Sequence, residues 1–161
     1  TDGDNRNILA VHSLSKRSNL AGYRGAFVIG DPALIAQILE VRKHAGMMVP
    51  LPIQKAMVAA LSDSAHVATQ RNRYNARKKS LTPALQAAGF TIDFSDAGLY
   101  LWATRNEDCW ATVAWLAELG ILATPGIFYG EKGSQHIRIA MTATDEQISE
   151  AAARILAKMV K

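Results

Sequence analysis

A short segment between two apolar runs, residues 12–24, concentrates the side chains that could do chemistry. It holds serines at 13, 15 and 18, the cations Lys16, Arg17 and Arg24, and a glycine at 22. Hydroxyls beside a guanidinium suit a phosphate group, because arginine donates two parallel hydrogen bonds to it. A partly desolvated lysine near other cations gives up its proton more readily and can attack a carbonyl carbon to form a Schiff base. A segment of this composition is more often a solvated connection, and periodicity does not decide between the two interpretations.

The order of residue types in this segment resembles a known signature. Residues 13–24 read Ser-Leu-Ser-Lys-Arg-Ser-Asn-Leu-Ala-Gly-Tyr-Arg. They are similar to the Ser-x-x-Lys-x-x-Asn-x-x-Gly-x-Arg pattern of class I/II, fold-type I aminotransferases, which depend on pyridoxal 5′-phosphate. The pattern fixes six residue types at set spacing, so a chance match is rare. The resemblance implies that Lys16 links to the cofactor and acts as the catalytic base, and that Ser13 and Arg24 hold the cofactor phosphate.

Three later segments resemble the same family in order and spacing, so that the likeness spans essentially the whole chain. Residues 98–102, Gly-Leu-Tyr-Leu-Trp, are similar to its Gly-x-Tyr/Phe strand, and residues 125–130, Pro-Gly-Ile-Phe-Tyr-Gly, to its Pro-Gly-x-x-Phe-Gly loop. Arg138 stands where the family has the arginine that binds the α-carboxylate of the substrate. Without the resemblance, Arg138 fits a salt-bridged or edge-strand arginine equally well; with it, carboxylate binding is favoured.

The chain departs from the family pattern in two ways. The family has glycine two positions after the phosphate arginine, whereas here Gly25 comes one place early and Ala26 follows it. Family members are also more than twice as long as these 161 residues. The upstream half supplies the aromatic that stacks on the cofactor ring, the aspartate that pairs with its nitrogen, and much of the dimer interface. We therefore expect a carboxyl-terminal part that is catalytically silent, or nearly so, by itself.

The elements that must position these residues alternate in type, which predicts an α/β fold. Apolar runs predict strands at 8–11 (buried), 26–29, 90–94, 98–102, 121–123 and 137–141. Helices are predicted from Pro32 to a stop at Gly46, over 53–61, from an N-cap at Ser64 to Ala88 with a bend at Pro83, over 110–117, and from a capping box at Thr144. The resemblance implies the carboxyl-terminal portion of the transferase fold, with residues 1–62 completing the large cofactor domain and 63–161 forming the small domain.

Composition excludes several classes of protein. Apolar residues make up 49% and charged residues 20% of the chain, so a real core is possible. No apolar run is long enough to span a bilayer and no secretory signal pattern opens the chain, so we expect a cytoplasmic protein with no membrane partner. Cys109 is the single cysteine. The four histidines, at 12, 44, 66 and 136, lie too far apart in sequence to form a metal motif, and no metal is expected.

The positive charge belongs to one segment. The chain carries 18 basic and 14 acidic residues, and five of the bases lie between positions 71 and 79. Without them the balance is 13 − 14 = −1. The segment has no recognition motif, so a solvated helix face is favoured over a nucleic-acid partner.

The expected activity is transfer of an amino group between an amino acid and a 2-oxo acid, in a parent enzyme that is a homodimer. Residues 13–19 resemble most closely the N-succinyl-diaminopimelate aminotransferases of lysine biosynthesis, in which glutamate is the donor and 2-oxoglutarate its product. Three alternatives remain open: a lyase or synthase of the same fold, the effector domain of a transcription regulator, and an inert domain that serves in assembly.

Overall fold

The computed structural model describes residues 4–46 and 48–160. Contacts divide the chain into two compact units, one ending at Thr69 and the other beginning at Gln70. The division falls inside a long helix. Among the described residues, no helix is long and apolar enough to cross a membrane.

The first unit is built on an antiparallel pair of strands, β1 (Leu9–Ser13) and β2 (Ala26–Gly30). A one-turn helix, α1 (Leu14–Arg17), follows β1 directly. Two longer helices, α2 (Pro32–Ala45) and α3 (Leu51–Ser62), precede α4 (Ala65–Ala87), whose first turns belong to this unit. The order of the two strands and the longer helices agrees with the prediction, but α1 lies where a loop was predicted and the burial predicted for β1 is wrong. Every residue of β1 is exposed rather than buried, because an apolar run indicates a strand without showing what covers it.

Side-chain caps set the helix starts in this unit. Asp31 Oδ1 accepts a hydrogen bond from the Ala33 N–H at 2.8 Å and Oδ2 one from the Asn7 N–H at 2.8 Å. Pro32 opens α2 and Gly46, with a φ of +69°, ends it, as predicted. At the start of α4 the carboxylate of Asp63 accepts from the Ala65 N–H at 2.7 Å, so the cap lies one residue before the predicted Ser64.

The second unit is a four-stranded antiparallel sheet with helices packed on one face. The strands are β3 (Thr91–Asp93), β4 (Tyr100–Thr104), β5 (Thr124–Pro125) and β6 (His136–Ala140), in the order β3-β4-β6-β5. The helices are α5 (Cys109–Glu118), α6 (Asp145–Met159) and the later turns of α4, which continue through Pro83. The whole chain is therefore α/β, as predicted, and α6 opens with the predicted capping box of Thr144 and Gln147.

Alternation along β6 separates the core from the opposite face of the sheet. Ile137 and Ile139 are buried in a core that includes Leu101, Leu116 and Ile155, whereas His136, Arg138 and Ala140 point to the other side. Arg138 thus lies on a strand whose position the core fixes from behind. The alternation of side chains along β6 therefore directs the charged Arg138 side chain away from the core.

In the second unit, three predicted strands differ in their limits, and one is absent among the described residues. Residues 121–123 are not a strand; the paired segment begins at Thr124, opposite Arg138, while Ile121 and Ala123 pack against the core instead. The predicted strand 98–102 begins at Tyr100, because Gly98 has a φ of +74°. The strands predicted at 90–94 and 137–141 span 91–93 and 136–140.

Part of the basic segment of α4 has a structural role. Arg77 donates to Asp145 Oδ1 at 2.5 Å and to the Met141 carbonyl at 2.9 Å. Lys78 Nζ donates to the carbonyls of Ser95 and Ala97 at 2.8 and 3.0 Å, and burial lowers the pKa of its amine. These contacts fasten α4 to the start of α6, the end of β6 and the connection between β3 and β4, so two of the five cations serve the fold of this unit.

Candidate functional site

Lys16 lies on α1, the turn that begins where β1 ends. The Ser13 hydroxyl caps this turn by accepting from the Ser15 N–H at 3.1 Å, and the Ser18 N–H closes it on the Leu14 carbonyl at 3.1 Å. Leu14 is completely buried, whereas Lys16 is exposed. The predicted connection over 12–24 is therefore partly helical, because a capping serine can order one turn without any apolar periodicity. The buried leucine anchors the turn that presents the lysine amine.

Ser13 and Arg24 lie at the same end of the β1–β2 pair. Ser13 pairs in register with Ala26, and the Leu14 N–H donates to the Gly25 carbonyl at 3.4 Å. Arg24 adopts the left-handed conformation, with a φ of +52°, and its Nη1 donates to the Ala21 carbonyl at 2.9 Å. One end of the sheet thus gathers the hydroxyl, the guanidinium and the lysine turn. A hydroxyl and a guanidinium are both groups that can bind a phosphate.

The early glycine of the segment has a packing reason. A Cβ at position 25 would lie 2.8 Å from Met57 Sδ and 3.5 Å from Ile53 Cγ2, so the flexible Met57 side chain would have to shift to accommodate it. Ala26, where the family has its glycine, is exposed at the start of β2. The chain therefore packs Met57 closely over the glycine at 25 and accommodates a methyl group at 26.

The Arg138 guanidinium lies between two tyrosine rings in the second unit. Its Cζ is 4.2 Å from the ring centre of Tyr100 and 5.1 Å from that of Tyr129. Both distances fall within the range of cation–π attraction. The Arg138 Nε is buried, and no partner for it exists among the described residues. A buried guanidinium nitrogen without a partner is costly, which makes Arg138 a candidate for binding an anion such as a carboxylate.

Neighbouring side chains brace this arginine. The Trp102 ring stacks on His136 with centroids 5.1 Å apart and meets Tyr129 edge-on at 5.8 Å. His136 Nε2 lies 3.0 Å from Asp93 Oδ2, while its buried Nδ1 has no partner in the described part of the chain. Gly126 is required next to them, since a Cβ there would lie 2.3 Å from the Gly133 carbonyl oxygen. The sequence patterns quoted Tyr100 and Tyr129 without indicating that they flank Arg138.

The structure places Ser13, Lys16 and Arg24 in the first unit and Arg138 in the second. One group in the first unit was not predicted. Asp63 and His66, three residues apart at the start of α4, bond to each other and, through His66, to Ser18. The three-residue spacing of Asp63 and His66 could suggest that these two side chains meet. Nothing in the sequence links His66 to Ser18, 48 positions earlier. In the described ranges, no group of three or more His, Cys, Asp or Glu side chains is placed to hold a metal ion.

Comparison with known proteins gives the family. Residues 1–155 match the model of the family described as aminotransferase class I and II. The chain belongs to this aminotransferase family. Members of the family generally use pyridoxal 5′-phosphate. The resemblance seen in the motifs is thereby confirmed over most of the chain.

Two curated relatives share most of this aminotransferase sequence. The chain is 61% identical over 154 residues to the probable aminotransferase Rv1178 of Mycobacterium tuberculosis, covering 96% of this chain and 37% of that protein. It is also 61% identical over 153 residues to 4-dedimethylamino-4-oxo-anhydrotetracycline transaminase OxyQ of Streptomyces rimosus, covering 95% of this chain and 43% of that protein. The chain therefore spans about two fifths of the length of these relatives.

Solved aminotransferases have the same fold. An aminotransferase from Neisseria meningitidis matches with a TM-score of 0.86 and 32% identity, over 97% of this chain and 42% of that one. A probable N-succinyldiaminopimelate aminotransferase from Thermus thermophilus matches with a TM-score of 0.83 and 27% identity, over 96% and 43% of the two chains. The fold is thus the corresponding portion of the aminotransferase fold.

Proposed function

We propose that this chain forms the carboxyl-terminal part of an enzyme that transfers amino groups between amino acids and 2-oxo acids, with Lys16 as the residue that links to pyridoxal 5′-phosphate. The observation that carries the proposal is the exposed Lys16 amine on a turn fixed by Ser13 and the buried Leu14, within a chain of this family. Residues 1–62 complete the large cofactor domain in this proposal, and 63–161 form the small domain. The intact enzyme is a cytoplasmic homodimer.

The residues present fit the cofactor at both of its ends. Ser13 and Arg24 offer a hydroxyl and a charged guanidinium at one end of the sheet, which suits a phosphate. Lys16 offers a primary amine that can bond to an aldehyde carbon. Bound there, pyridoxal 5′-phosphate supplies the electron sink for reactions at the amino acid α-carbon. Ser13, Lys16 and Arg24 are thus the cofactor-binding residues of this proposal.

The proposed mechanism assigns cofactor attachment and proton transfer to Lys16, and substrate binding to Arg138. Lys16 Nζ would hold the cofactor and, as a free amine, would accept the proton of the substrate α-carbon and donate it again to complete the transfer. Arg138 binds and orients the α-carboxylate with two parallel hydrogen bonds, one of which satisfies its buried Nε. The rings of Tyr100 and Tyr129 hold the guanidinium in place for this contact. Proton transfer by Lys16 and binding by Arg138 are therefore separable by mutation.

Two substrates are the leading candidates. N-succinyl-LL-diaminopimelate with 2-oxoglutarate is favoured by the motif around Lys16 and by the fold match to a solved probable N-succinyldiaminopimelate aminotransferase. A 4-oxo-anhydrotetracycline-type ketone is favoured by the 61% identity to the transaminase OxyQ. Assaying the holoenzyme with both, and with aspartate and aromatic amino acids as comparison, separates them. A strong preference for aspartate or an aromatic amino acid excludes the lysine-biosynthesis assignment.

Variants of Lys16 test the activity itself. Lys16→Ala removes both the covalent link and the base, so turnover of the holoenzyme falls by several orders of magnitude, at least about 10³-fold, and the visible absorbance of the linked cofactor disappears. Lys16→Arg is equally inactive, because a guanidinium stays protonated and cannot condense with an aldehyde. Lys55→Ala, an exposed lysine of α3, is the matched control and leaves both readouts unchanged. Full turnover in Lys16→Arg contradicts the proposal.

A further inference from the structure

A chain of four polar side chains connects the end of the Lys16 turn to the start of α4. Asp63 Oδ2 lies 2.8 Å from His66 Nδ1, and His66 Nε2 lies 3.0 Å from Ser18 Oγ. Arg17 Nη1 donates to the same Ser18 hydroxyl at 3.3 Å and to the Ala60 carbonyl at 3.0 Å. Ser18, His66 and Arg17 are half-buried, so water competes only in part for these bonds. We call Asp63, His66, Ser18 and Arg17 the turn-anchoring relay.

The donors and acceptors of the relay agree in one arrangement. An ionised carboxylate only accepts, so His66 donates through Nδ1–H to Asp63. In this tautomer Nε2 carries no hydrogen and accepts the hydrogen of the Ser18 hydroxyl. The Ser18 oxygen retains lone pairs for the Arg17 N–H. Hydrogen bonds from the Ala65 N–H and from His66 hold the pKa of Asp63 below its ordinary value, which keeps the acceptor ionised.

Its position relates the relay to the lysine. Ser18 is the residue that ends α1, since its N–H bonds to the Leu14 carbonyl, and it stands two places after Lys16. Arg17 is the neighbour of Lys16 and is fastened to the end of α3. The turn is therefore held at its beginning by Ser13 and Leu14 and at its end by the relay.

We propose that Asp63, His66 and Ser18 are positioning residues, which fix the direction of the Lys16 amine by holding the end of its turn through the Nδ1–H tautomer of His66. This inference rests on the proposed role of Lys16. Positional errors near 1 Å at a reacting group cost large factors in rate. Loss of one hydrogen bond to a charged group in the relay corresponds to about a tenfold effect.

The test measures how fast Lys16 captures the cofactor rather than turnover. Apoenzyme is mixed with pyridoxal 5′-phosphate, samples are reduced with borohydride over time, and the label on the Lys16 peptide is quantified. His66→Ala and Asp63→Asn each slow this labelling by about tenfold. In Asp63→Asn the amide can donate to the ring, which reverses the tautomer, as measured by the nitrogen chemical shifts of His66 in NMR spectra. Ser18→Ala slows labelling while leaving the tautomer unchanged.

Conservative variants separate positioning from mere stability. His66→Gln restores labelling towards the wild-type rate, because the glutamine amide reaches the Nε2 position, and Ser18→Thr restores it by keeping the hydroxyl. His44→Ala, an exposed histidine of α2, is the matched control. Wild-type labelling rates in His66→Ala and Asp63→Asn overturn the inference, as does equal slowing in His66→Ala and His66→Gln. Absence of label on Lys16 in the wild-type enzyme would overturn the proposed function instead.

Discussion

At the scale of single residues, the proposed role of Arg138 in binding an anion rests on neighbours that are aromatic rather than acidic. Tyrosine rings attract the guanidinium without using its hydrogen-bond donors, so the buried Nε has no partner among the described residues. In an arginine paired with aspartate, the carboxylate would already occupy the hydrogen-bond donors of the guanidinium. The sequence motif identified the position of this residue, while the reason for its availability required the fold of two strands and a loop.

A variant of Arg138 tests this role. Arg138→Ala raises the KM for the amino acid by about 10- to 100-fold, since a hydrogen bond to a charged group contributes about 1.5–3 kcal/mol. Arg138→Lys recovers part of the loss at most, because an ammonium lacks the fork that matches a carboxylate. Steady-state kinetics of the holoenzyme measure both. Arg73→Ala, an exposed cation of α4, is the control, and an unchanged KM in Arg138→Ala would refute the role.

Gly25 comes one position earlier than the glycine of the family pattern, and the Met57 side chain packs closely against it. Gly25→Ala destabilises the protein by about 1 kcal/mol, because the added methyl group would lie 2.8 Å from Met57 Sδ and the flexible Met57 side chain has to shift. Gly22→Ala is the matched control, since no atom lies within 4 Å of its Cβ. Urea unfolding measures both. Combining Gly25→Ala with Met57→Ala relieves the contact, and the absence of any such recovery would show that the cause is backbone rather than packing.

At the scale of elements, Asp31 joins the start of α2 to the segment before β1. Bonds from the Asn7 and Ala33 N–H groups hold the pKa of its carboxyl below the ordinary value. A lowered folded pKa contributes stability above the ordinary value near 3.9, and this contribution is lost as the pH falls through the folded pKa. Asp31→Asn therefore lowers the melting temperature at pH 7, and the difference from wild type shrinks towards pH 3 and below.

The role of Asp31 can be measured at individual amides as well as through the melting temperature. Hydrogen exchange of the Asn7 and Ala33 amides speeds up in Asp31→Asn at pH 7, because both donors lose an ionised acceptor. Glu131→Gln, an exposed carboxylate of the second unit, serves as control. A constant difference in melting temperature from pH 7 to pH 2 would contradict the assigned cause.

Elements were predictable from the sequence where local chemistry determines them. Pro32 with Gly46, and Thr144 with Gln147, act within a few residues, so α2 and the start of α6 follow directly. The short turn carrying Lys16 was not predicted, because a single turn has too few residues to show periodicity. The strand predicted at 121–123 is wrong because the limits of a strand are set by its pairing. The pairing with β6 begins only at Thr124, which lies opposite Arg138.

At the scale of the whole molecule, the motif around Lys16 predicted the family, and the match over residues 1–155 confirms it. Contacts between residues far apart in the sequence could not be predicted from sequence patterns. The bond between His66 and Ser18 joins residues 48 positions apart, and the tyrosines beside Arg138 come from separate elements. Patterns of spacing report neighbours along the chain, whereas these groups are assembled by the packing of helices and strands.

The central claim is that Lys16 carries the cofactor, and one measurement tests it directly. The holoenzyme is reduced with borohydride, digested, and its peptides are mapped by mass spectrometry. A secondary amine formed by reduction survives digestion, so the label marks the linked lysine. The account predicts one pyridoxyl group per chain, on Lys16, and none in the Lys16→Arg variant. A pyridoxyl group on Lys43, Lys55 or any other lysine would contradict it.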